Sequence, residues 1–390
     1  MSETTASTIA REAAEIAARA EAELARLVDV SSPSGDVAGA EAAIAVCVEL
    51  LPDGAEVQRP PCSTEGSAPD LLATVRGTGQ RRIMLLGHVD TVVGHDAHQP
   101  LRADGERLYG TGTVDMKGGD ILALGVARTL ARSPQRFAEL SVLMVCDEEW
   151  RTAPFTHVER FSGYDACLCF EAGHLTPDGE EGVVVRRKAA GTLIVDAVGR
   201  AAHSGAAPDQ GRNALLALAR VATRAAEFHD LSGPEQLSVV PTVIRSGDAF
   251  NVVPAAGELI CDMRARTLDA FAPVLRSVPA ELDEVRLDAR MGRAWPGMDA
   301  VAATAPVLEG AARRLGRPIV GVPRGGASDA SHFAASIPLT IDGLGPRGGG
   351  AHTPDEFVLR EALTLRAEVA LAIGHELLDG GDGAEPDGRL

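Results

Sequence analysis

Short apolar segments with strand character alternate with helical segments through the first half of the chain. The apolar segments DLLATVRG and RRIMLLGHV are followed by the helical segment GGDILALGVARTLAR and by a further strand, ELSVLMVCD. Alternation of strands and helices is typical of a parallel sheet with helices on both faces. The sequence therefore predicts an α/β fold with a mostly parallel sheet.

The pattern changes at about Val184. From there a strand, a helix, two strands, a helix and a last strand are predicted, in the order β-α-β-β-α-β of a ferredoxin-like unit. After residue 295 the α/β pattern of the first half returns. We therefore predict a discontinuous α/β domain of residues 1–183 and 296–390, interrupted by an inserted α+β domain of residues 184–295.

Charge and hydropathy restrict the partners of this chain. The 37 basic and 55 acidic residues give a formal net charge of −18, which repels nucleic acid and anionic membrane surfaces. The N-terminal segment lacks the features of a signal peptide, and no apolar stretch is long enough to span a membrane. We expect a cytoplasmic protein that binds a small molecule or short peptide, and neither nucleic acid nor membrane.

Polar residues follow several of the apolar strands. His88 and Asp90 follow one strand, Glu148 and Glu149 another, and Glu171 a third. In open parallel sheets ligands collect at the carboxyl ends of the strands, and imidazole with carboxylate is the ligand set of open, catalytic zinc sites. Asp90, two residues beyond His88, could accept the second ring N–H of the imidazole, although a plain surface turn would also fit this pair.

Two glycine-rich segments add candidates. In YGTGTVDMKGGD the third glycine of a dinucleotide-binding turn is replaced by Asp115, so a nucleotide site is disfavoured. Asp115 could approach two cations through its two oxygens or cap the following helix. GPRGGGAHTPDEF brings His352 into a second flexible loop. In CDEEW one of the adjacent acids, Glu148 or Glu149, could bind metal while the other takes a proton, or both could lie in a solvated turn.

Five of these segments, in this order, resemble one enzyme family: GHVDTV, GTGTVDMKGG, CDEEW, CFEAG and GPRGGGAHTPDE. This is the zinc metallopeptidase family of aminoacylase, acetylornithine deacetylase, succinyl-diaminopimelate desuccinylase and glutamate carboxypeptidase. The resemblance covers nearly the whole chain. It implies that the α/β domain is a di-zinc catalytic domain and that the insert is a lid and dimerisation domain.

The resemblance also implies roles for single residues in the catalytic domain. Two zinc ions, for which Co²⁺ or Mn²⁺ can substitute, would be bridged by Asp115. The implied ligands of one ion are His88 and Glu171, and those of the other are Glu149 and His352. Asp90 would lie behind His88, and Glu148 would be the general base.

In the insert, VGRAAHSGAAPDQGRNA resembles the segment whose histidine stabilises the oxyanion in the partner subunit's site, here His203. The segments NVVP and DMR would supply Asn251 and Arg264, with Arg264 binding a free substrate carboxylate through two hydrogen bonds. The resemblance thus implies a homodimer formed through the lid domain and a small or peptidyl substrate with a free carboxylate.

Within the family the chain looks most like the glutamate carboxypeptidase branch, so we expect hydrolysis of an amide bond that releases a C-terminal amino acid such as glutamate. Deacylation of an N-acyl amino acid and cleavage of a dipeptide are alternatives, and a non-catalytic binding protein of the same fold is a remote one. The chain departs from its relatives after the acidic pair. Trp150 and Arg151 stand where a small Gly-Ser turn is usual, which is expected to alter the rim of the pocket.

Overall fold

A computed structural model describes residues 5–379. The chain divides into two compact units. The described part of the first unit comprises residues 5–186, 299–323 and 328–379. The second unit comprises Arg187–Met298 and Arg324–Ala327.

The described residues form the following helices and strands. The helices are α1 Thr5–Val28, α2 Val37–Glu49, α3 Gly118–Leu130, α4 Ala214–Ala226, α5 Ala272–Ser277, α6 Val301–Leu315, α7 Ala330–Phe333 and α8 Arg360–Asp379. The strands are β1 Glu56–Gln58, β2 Leu71–Arg76, β3 Arg81–His88, β4 Arg102–Asp104, β5 Arg107–Tyr109, β6 Phe137–Val145, β7 Ala166–Cys169, β8 His174–Leu175, β9 Glu181–Arg187, β10 Ala189–Val198, β11 Ser238–Ser246, β12 Ala256–Ala265, β13 Glu281–Leu282, β14 Val285–Trp295, β15 Met298–Asp299, β16 Ile319–Arg324, β17 Leu339–Ile341, β18 Gly348–Gly349 and β19 Phe357–Leu359.

The main sheet of the first unit has six strands in the order β1-β2-β6-β3-β7-β17. The pairs β3·β6, β3·β7 and β7·β17 are parallel, whereas β1 and β2 run antiparallel at one edge. The central strands are apolar and buried, as expected for a sheet covered by helices. The predicted α/β fold with a mostly parallel sheet is confirmed.

The carboxyl ends of the central strands carry the polar segments singled out in the sequence. In the parallel register His88 lies beside Val145, so the residues that follow β3 and β6 leave the sheet side by side. Helix α3 begins close to the end of β7, where a Cβ atom on Gly119 would lie 1.9 Å from the carbonyl oxygen of Phe170. Only glycine permits this approach, which brings the Asp115 loop next to the segment that carries Glu171.

A small antiparallel sheet in the order β18-β19-β5-β4 was not expected from the sequence. Strand β19 pairs with β5, with Phe357 opposite Tyr109 and Val358 opposite Leu108. Each strand has only two or three residues, too few for a recognisable alternating pattern. The sheet places the loop of His352 beside the loop of Asp115.

The second unit contains a five-stranded antiparallel sheet in the order β11-β12-β10-β14-β13. Its four long strands and helices α4 and α5 follow one another as β-α-β-β-α-β, which confirms the ferredoxin-like unit. Asn213 begins α4, its side chain accepting a hydrogen bond from the backbone N–H of Leu216. Strand β11 lies at one edge of this sheet.

Within residues 5–379, none of the helices combines the length and the apolar character that a membrane crossing requires.

Candidate metal centre

His88 is the last residue of β3, and its side chain is 2% exposed. Its Nδ1 atom lies 3.1 Å from the backbone oxygen of Asp90 and 3.4 Å from the Asp90 carboxylate. Because both of these neighbours are acceptors, we assign the ring proton to Nδ1. Nε2 faces two carboxylate oxygens, Asp115 Oδ1 at 3.2 Å and Glu171 Oε1 at 3.8 Å, and it is the ring atom left to bind a metal ion in place of a proton.

Asp115 offers one carboxylate oxygen to each of two imidazoles. Its Oδ1 atom lies 3.2 Å from Nε2 of His88, and its Oδ2 atom lies 3.1 Å from Nε2 of His352. The peptide bond between Asp115 and Met116 is cis. Burial opposes ionisation of this carboxyl, but the two histidines outweigh burial and hold its pKa below the ordinary value.

His352 approaches the same centre from the loop between β18 and β19. Its Nε2 atom lies 3.2 Å from Glu149 Oε1, in addition to its contact with Asp115. The backbone of His352 has a φ of 66°, a left-handed conformation that is uncommon outside glycine. The contacts with Asp115 and Glu149 raise the pKa of this imidazole to about 10.

One atom each from His88, Asp115 and Glu149 lies within 4.8 Å of the other two, which is a possible ion site. With Glu171 and His352 these residues form a single cluster at the carboxyl end of the sheet. All five metal ligands that the family resemblance implies therefore meet in the first unit. Their roles as ligands stay a prediction.

Glu148 lies beside this cluster and is 7% exposed. Burial is the largest influence on this carboxyl, and with the negative charges of Glu149 and Asp115 it raises the pKa of Glu148 to about 7. Burial likewise raises the pKa values of Glu149 and Glu171. The centre thus crowds carboxylates that would repel one another without a compensating positive charge.

The chemistry and spacing of these side chains fit a pair of divalent cations. Two atoms that bind the same tetrahedral zinc ion at about 2.0–2.1 Å lie roughly 3.3 Å apart. The separations of 3.2 Å and 3.8 Å from His88 and of 3.1 Å and 3.2 Å from His352 are close to this value. Imidazole and carboxylate are the ligands that zinc takes in catalytic sites.

From the sequence Asp90 was expected to contact only His88, and the structure adds three further contacts. Asp90 is 1% exposed. Its carboxylate accepts hydrogen bonds from the backbone N–H groups of Glu148 and Glu149, both at 3.1 Å. It also accepts a hydrogen bond from the Ser34 hydroxyl at 2.5 Å. Asp90 therefore positions the acidic pair as well as the imidazole.

Glu356 is a residue of the centre that was not predicted from the sequence. It is 2% exposed, and its carboxylate accepts hydrogen bonds from the backbone N–H groups of Gly112, Val114 and Asp115 at 2.8–3.0 Å. These contacts tie the loop of His352 to the loop of Asp115. The one feature of the sequence that pointed to Glu356 was its position four residues after His352. Its hydrogen-bond partners are more than 240 residues away in the sequence.

His203 and Asn251 are neighbours in the second unit, where His203 forms a backbone bridge with Val252. The Nδ1 atom of His203 accepts hydrogen bonds from the backbone N–H groups of Gly205 and Ala206, both at 3.1 Å. The ring proton therefore lies on Nε2, which can act as a donor. Asn251 is exposed.

Arg264 lies on β12 of the second unit. Its guanidinium donates two hydrogen bonds to Asp262, at 3.0 Å and 3.1 Å. The two-pronged geometry that the sequence analysis assigned to a substrate carboxylate is thus used by a neighbouring side chain. A substrate would have to compete with Asp262 for this arginine.

The parallel sheet of the first unit and the cluster of imidazoles and carboxylates at its carboxyl end are the features expected of a metal-dependent hydrolase. Residues 84–375 match the family model described as peptidase family M20/M25/M40. The chain belongs to this family, and it is a metallopeptidase or related amidohydrolase.

Two curated relatives cover most of the chain. Carboxypeptidase G2 from a Pseudomonas species is 27% identical over 363 residues, which are 89% of this chain and 86% of the relative. A putative succinyl-diaminopimelate desuccinylase from Mycobacterium tuberculosis is 30% identical over 368 residues, 86% of this chain and 92% of the relative. Identities at this level identify the family and leave the substrate open.

Solved structures share the fold. Aminopeptidase PepT from Bacillus cereus superimposes with a TM-score of 0.72 at 21% identity. The superposition covers 93% of this chain and 98% of the PepT chain. A dinuclear metal-binding peptidase of the M20 family from Bacillus subtilis gives a TM-score of 0.67 at 16% identity, with the same coverage of both chains. At such identities the likeness concerns the fold alone.

Proposed function

We propose that this chain is a two-zinc hydrolase that cleaves an amide bond and releases a C-terminal amino acid, of the glutamate type, from a peptidyl or N-acyl substrate. The observation that carries the proposal is the placement of Asp115 between His88 and His352, one carboxylate oxygen facing each imidazole. A carboxylate placed in this way is suited to bridge two cations.

Five residues would hold the two ions: His88, Asp115, Glu149, Glu171 and His352. When bound, zinc supplies a Lewis acid that polarises an amide carbonyl and makes a water molecule more acidic. The Nδ1–H group of His88 keeps Nε2 in the form that binds metal, because its proton is donated to Asp90.

Glu148 is the proposed general base. It lies next to the cluster, and the backbone hydrogen bond to Asp90 fixes the position from which its side chain extends. The Glu148 carboxylate takes a proton from the attacking water and gives it to the nitrogen of the leaving amine. Its burial keeps bulk water from competing for that proton.

Three residues of the second unit are proposed to act on the substrate. The Nε2–H group of His203 is a hydrogen-bond donor for the oxyanion of the tetrahedral intermediate. Arg264 would exchange its pairing with Asp262 for the free carboxylate of the substrate, and Asn251 would donate a further hydrogen bond.

Two relatives support different substrates. The match with carboxypeptidase G2 over 89% of the chain favours release of a C-terminal amino acid. The match with the putative succinyl-diaminopimelate desuccinylase at 30% identity favours an N-acyl amino acid as a second candidate. Both reactions hydrolyse an amide beside a carboxylate, so the proposed machinery serves either.

A panel of amides separates these substrates. Zinc-loaded protein is incubated with N-acetyl, N-succinyl and peptidyl derivatives of glutamate and of alanine, and the released amine is measured with ninhydrin. We expect the fastest release from peptidyl glutamate. Equal rates for glutamate and alanine would refute the glutamate preference, and rapid release only from succinyl substrates would favour the second candidate. No hydrolysis of any amide would refute the function.

We further propose a homodimer formed through the second unit and a cytoplasmic location. The edge strand β11 exposes Val240 and Ile244, at 45% and 44%, which supports pairing with a second copy. Light scattering of Ile244→Lys tests this proposal. We expect the parent protein to be a dimer and the variant to be a monomer. A monomeric parent would refute the proposed homodimer.

A further inference from the structure

Arg151 is a fully buried arginine in the turn that carries the acidic pair. Its side chain is 0% exposed. Residues 147–151, here called the acidic turn, begin with Asp147 and end with Arg151, and the guanidinium Nη1 lies 2.7 Å from Asp147 Oδ1. An ion pair between its two ends therefore closes the acidic turn around Glu148 and Glu149.

The same guanidinium also reaches a distant part of the first unit. Its Nη2 atom donates a hydrogen bond to Asp329 Oδ1, just before α7. Its planar face stacks on Phe155, with 4.5 Å from Cζ to the ring centroid. Phe155 in turn packs edge-on against Phe333 of α7, at 5.4 Å between ring centroids. Arg151 thus joins the acidic turn to α7 through both charge and packing.

The acidic turn is also held at other points. The second carboxylate oxygen of Asp147 accepts a hydrogen bond from the backbone N–H of Thr64 at 2.9 Å. The Asp90 carboxylate accepts hydrogen bonds from the backbone N–H groups of Glu148 and Glu149. The chain therefore fixes the backbone of this turn through contacts to three separate segments.

Stability alone does not explain a buried arginine between two carboxylates. Removing three charges from water costs free energy that their attraction often fails to recover, and apolar residues of similar volume commonly stabilise such a position at least as well. The fork of a guanidinium instead fixes the direction and the distance of two carboxylates at once. Such a group is suited to hold a turn in one geometry.

We propose that Arg151 is a positioning residue for the metal centre: by bridging Asp147 and Asp329 it fixes the turn from which Glu148 and Glu149 extend. The inference rests on the proposed function, because it assigns to Glu149 a place at one of the two ions. Loss of this bridge would weaken binding of the ion that Glu149 holds more than binding of the other.

Metal binding measured in the full chain tests this inference. Zinc bound per chain is determined by mass spectrometry after dialysis against a series of free zinc concentrations. The variants are Arg151→Met, Arg151→Lys and Asp329→Asn. Thermal unfolding of the stripped proteins is recorded in parallel.

We expect two ions in the parent. In Arg151→Met the affinity for one of them should fall about 10–100-fold, the range typical for loss of a group that orients a metal ligand. The zinc affinity of Arg151→Lys should lie between those of the parent and of Arg151→Met, because an ammonium keeps the positive charge but cannot bridge two carboxylates with a planar fork. Asp329→Asn should show a smaller loss, since the contact with Asp147 remains.

Arg128→Met is the matched control. Arg128 is a largely buried arginine that pairs with Glu23 at 2.7 Å and donates to the backbone oxygen of Leu50. Its loss should lower the unfolding temperature and leave both zinc affinities unchanged. If Arg151→Lys and Asp329→Asn behave like this control, Arg151 is only structural and the inference fails, even where Arg151→Met does not fold.

The parent protein distinguishes this failure from a failure of the proposed function. A parent that binds no divalent metal would overturn both. A parent that binds two zinc ions, with variants that bind them equally well, would overturn the role of Arg151 alone.

Discussion

Asp90 Oδ2 accepts a hydrogen bond from the backbone N–H of Glu149 at 3.1 Å. This contact joins the residues that follow β3 to those that follow β6, the neighbouring parallel strand. Because Asp90 also contacts the ring of His88, one carboxylate orients ligands that belong to both proposed ions. The geometry of the two proposed metal positions is therefore coupled through a residue that is not one of the proposed ligands.

Asp90→Asn is predicted to weaken binding of both ions. An asparagine keeps the shape, but its amide N–H₂ group would face a backbone N–H of Glu148 or Glu149, or the imidazole Nδ1–H. We expect zinc affinity to fall about 10–100-fold, measured by competition with a chromophoric chelator. Ser34→Ala is the control, because it removes one hydrogen bond to the same carboxylate and should cost about 1.5–3 kcal/mol of stability. Parent-like zinc affinity in Asp90→Asn would contradict the assignment.

Glu356→Gln is predicted to reduce occupancy of both ions together. Its carboxylate accepts three backbone N–H groups, including that of Asp115, and a glutamine would place its own N–H₂ group against at least one of them. Displacement of Asp115 affects both positions because this residue is the proposed bridge. The measurement is zinc content after dialysis at limiting free zinc.

The neighbouring carboxylate supplies the control for that variant. Asp355 is exposed, and Asp355→Asn is expected to retain both ions. Loss of one ion only in Glu356→Gln would indicate that Glu356 acts on the loop of His352 rather than on Asp115.

The fold and the meeting of acidic residues at one edge of the sheet could be predicted because their signals are local in the sequence, whereas the ligand roles are implied by the family resemblance. The strand that ends in His88 is a continuous apolar run, and its parallel neighbours end at the same edge of the sheet, so the acidic residues after them had to meet. The β-α-β-β-α-β order of the second unit likewise follows from successive local patterns.

The contacts that orient the ligands could not be predicted in the same way. Glu356 accepts hydrogen bonds from backbone N–H groups more than 240 residues away in the sequence. Every residue except proline has such a group, so the side chains of the partners give no indication of the contact. Arg151 and Asp329 are 178 residues apart, and neither lies in a periodic pattern. The sequence showed that Arg151 departs from the small turn usual in the family, and we expected it to alter the rim of the pocket. In the structure its guanidinium is instead buried in the interior.

Glu148→Gln is predicted to separate metal binding from catalysis. Glutamine cannot accept and return a proton, so turnover should fall about 10²–10⁴-fold. Zinc content should stay at the parental value, because the backbone N–H contact to Asp90 and all five ligands remain. Single-substrate kinetics with the best amide of the panel, combined with zinc analysis, test this expectation. A variant that turns over at near-parental rates would exclude Glu148 as the base.

Metal removal is predicted to lower both activity and stability. Without cations the buried carboxylates of the centre repel one another, and burial raises the pKa values of Glu149 and Glu171. An ion that binds only the folded state at a free concentration of 1,000 times its Kd stabilises that state by about 4 kcal/mol. Treatment with phenanthroline should therefore abolish hydrolysis and lower the unfolding temperature, and both should recover on addition of zinc. Recovery with cobalt or manganese would show which ions the centre accepts, and an unfolding temperature unaffected by the chelator would argue against a metal held by this cluster.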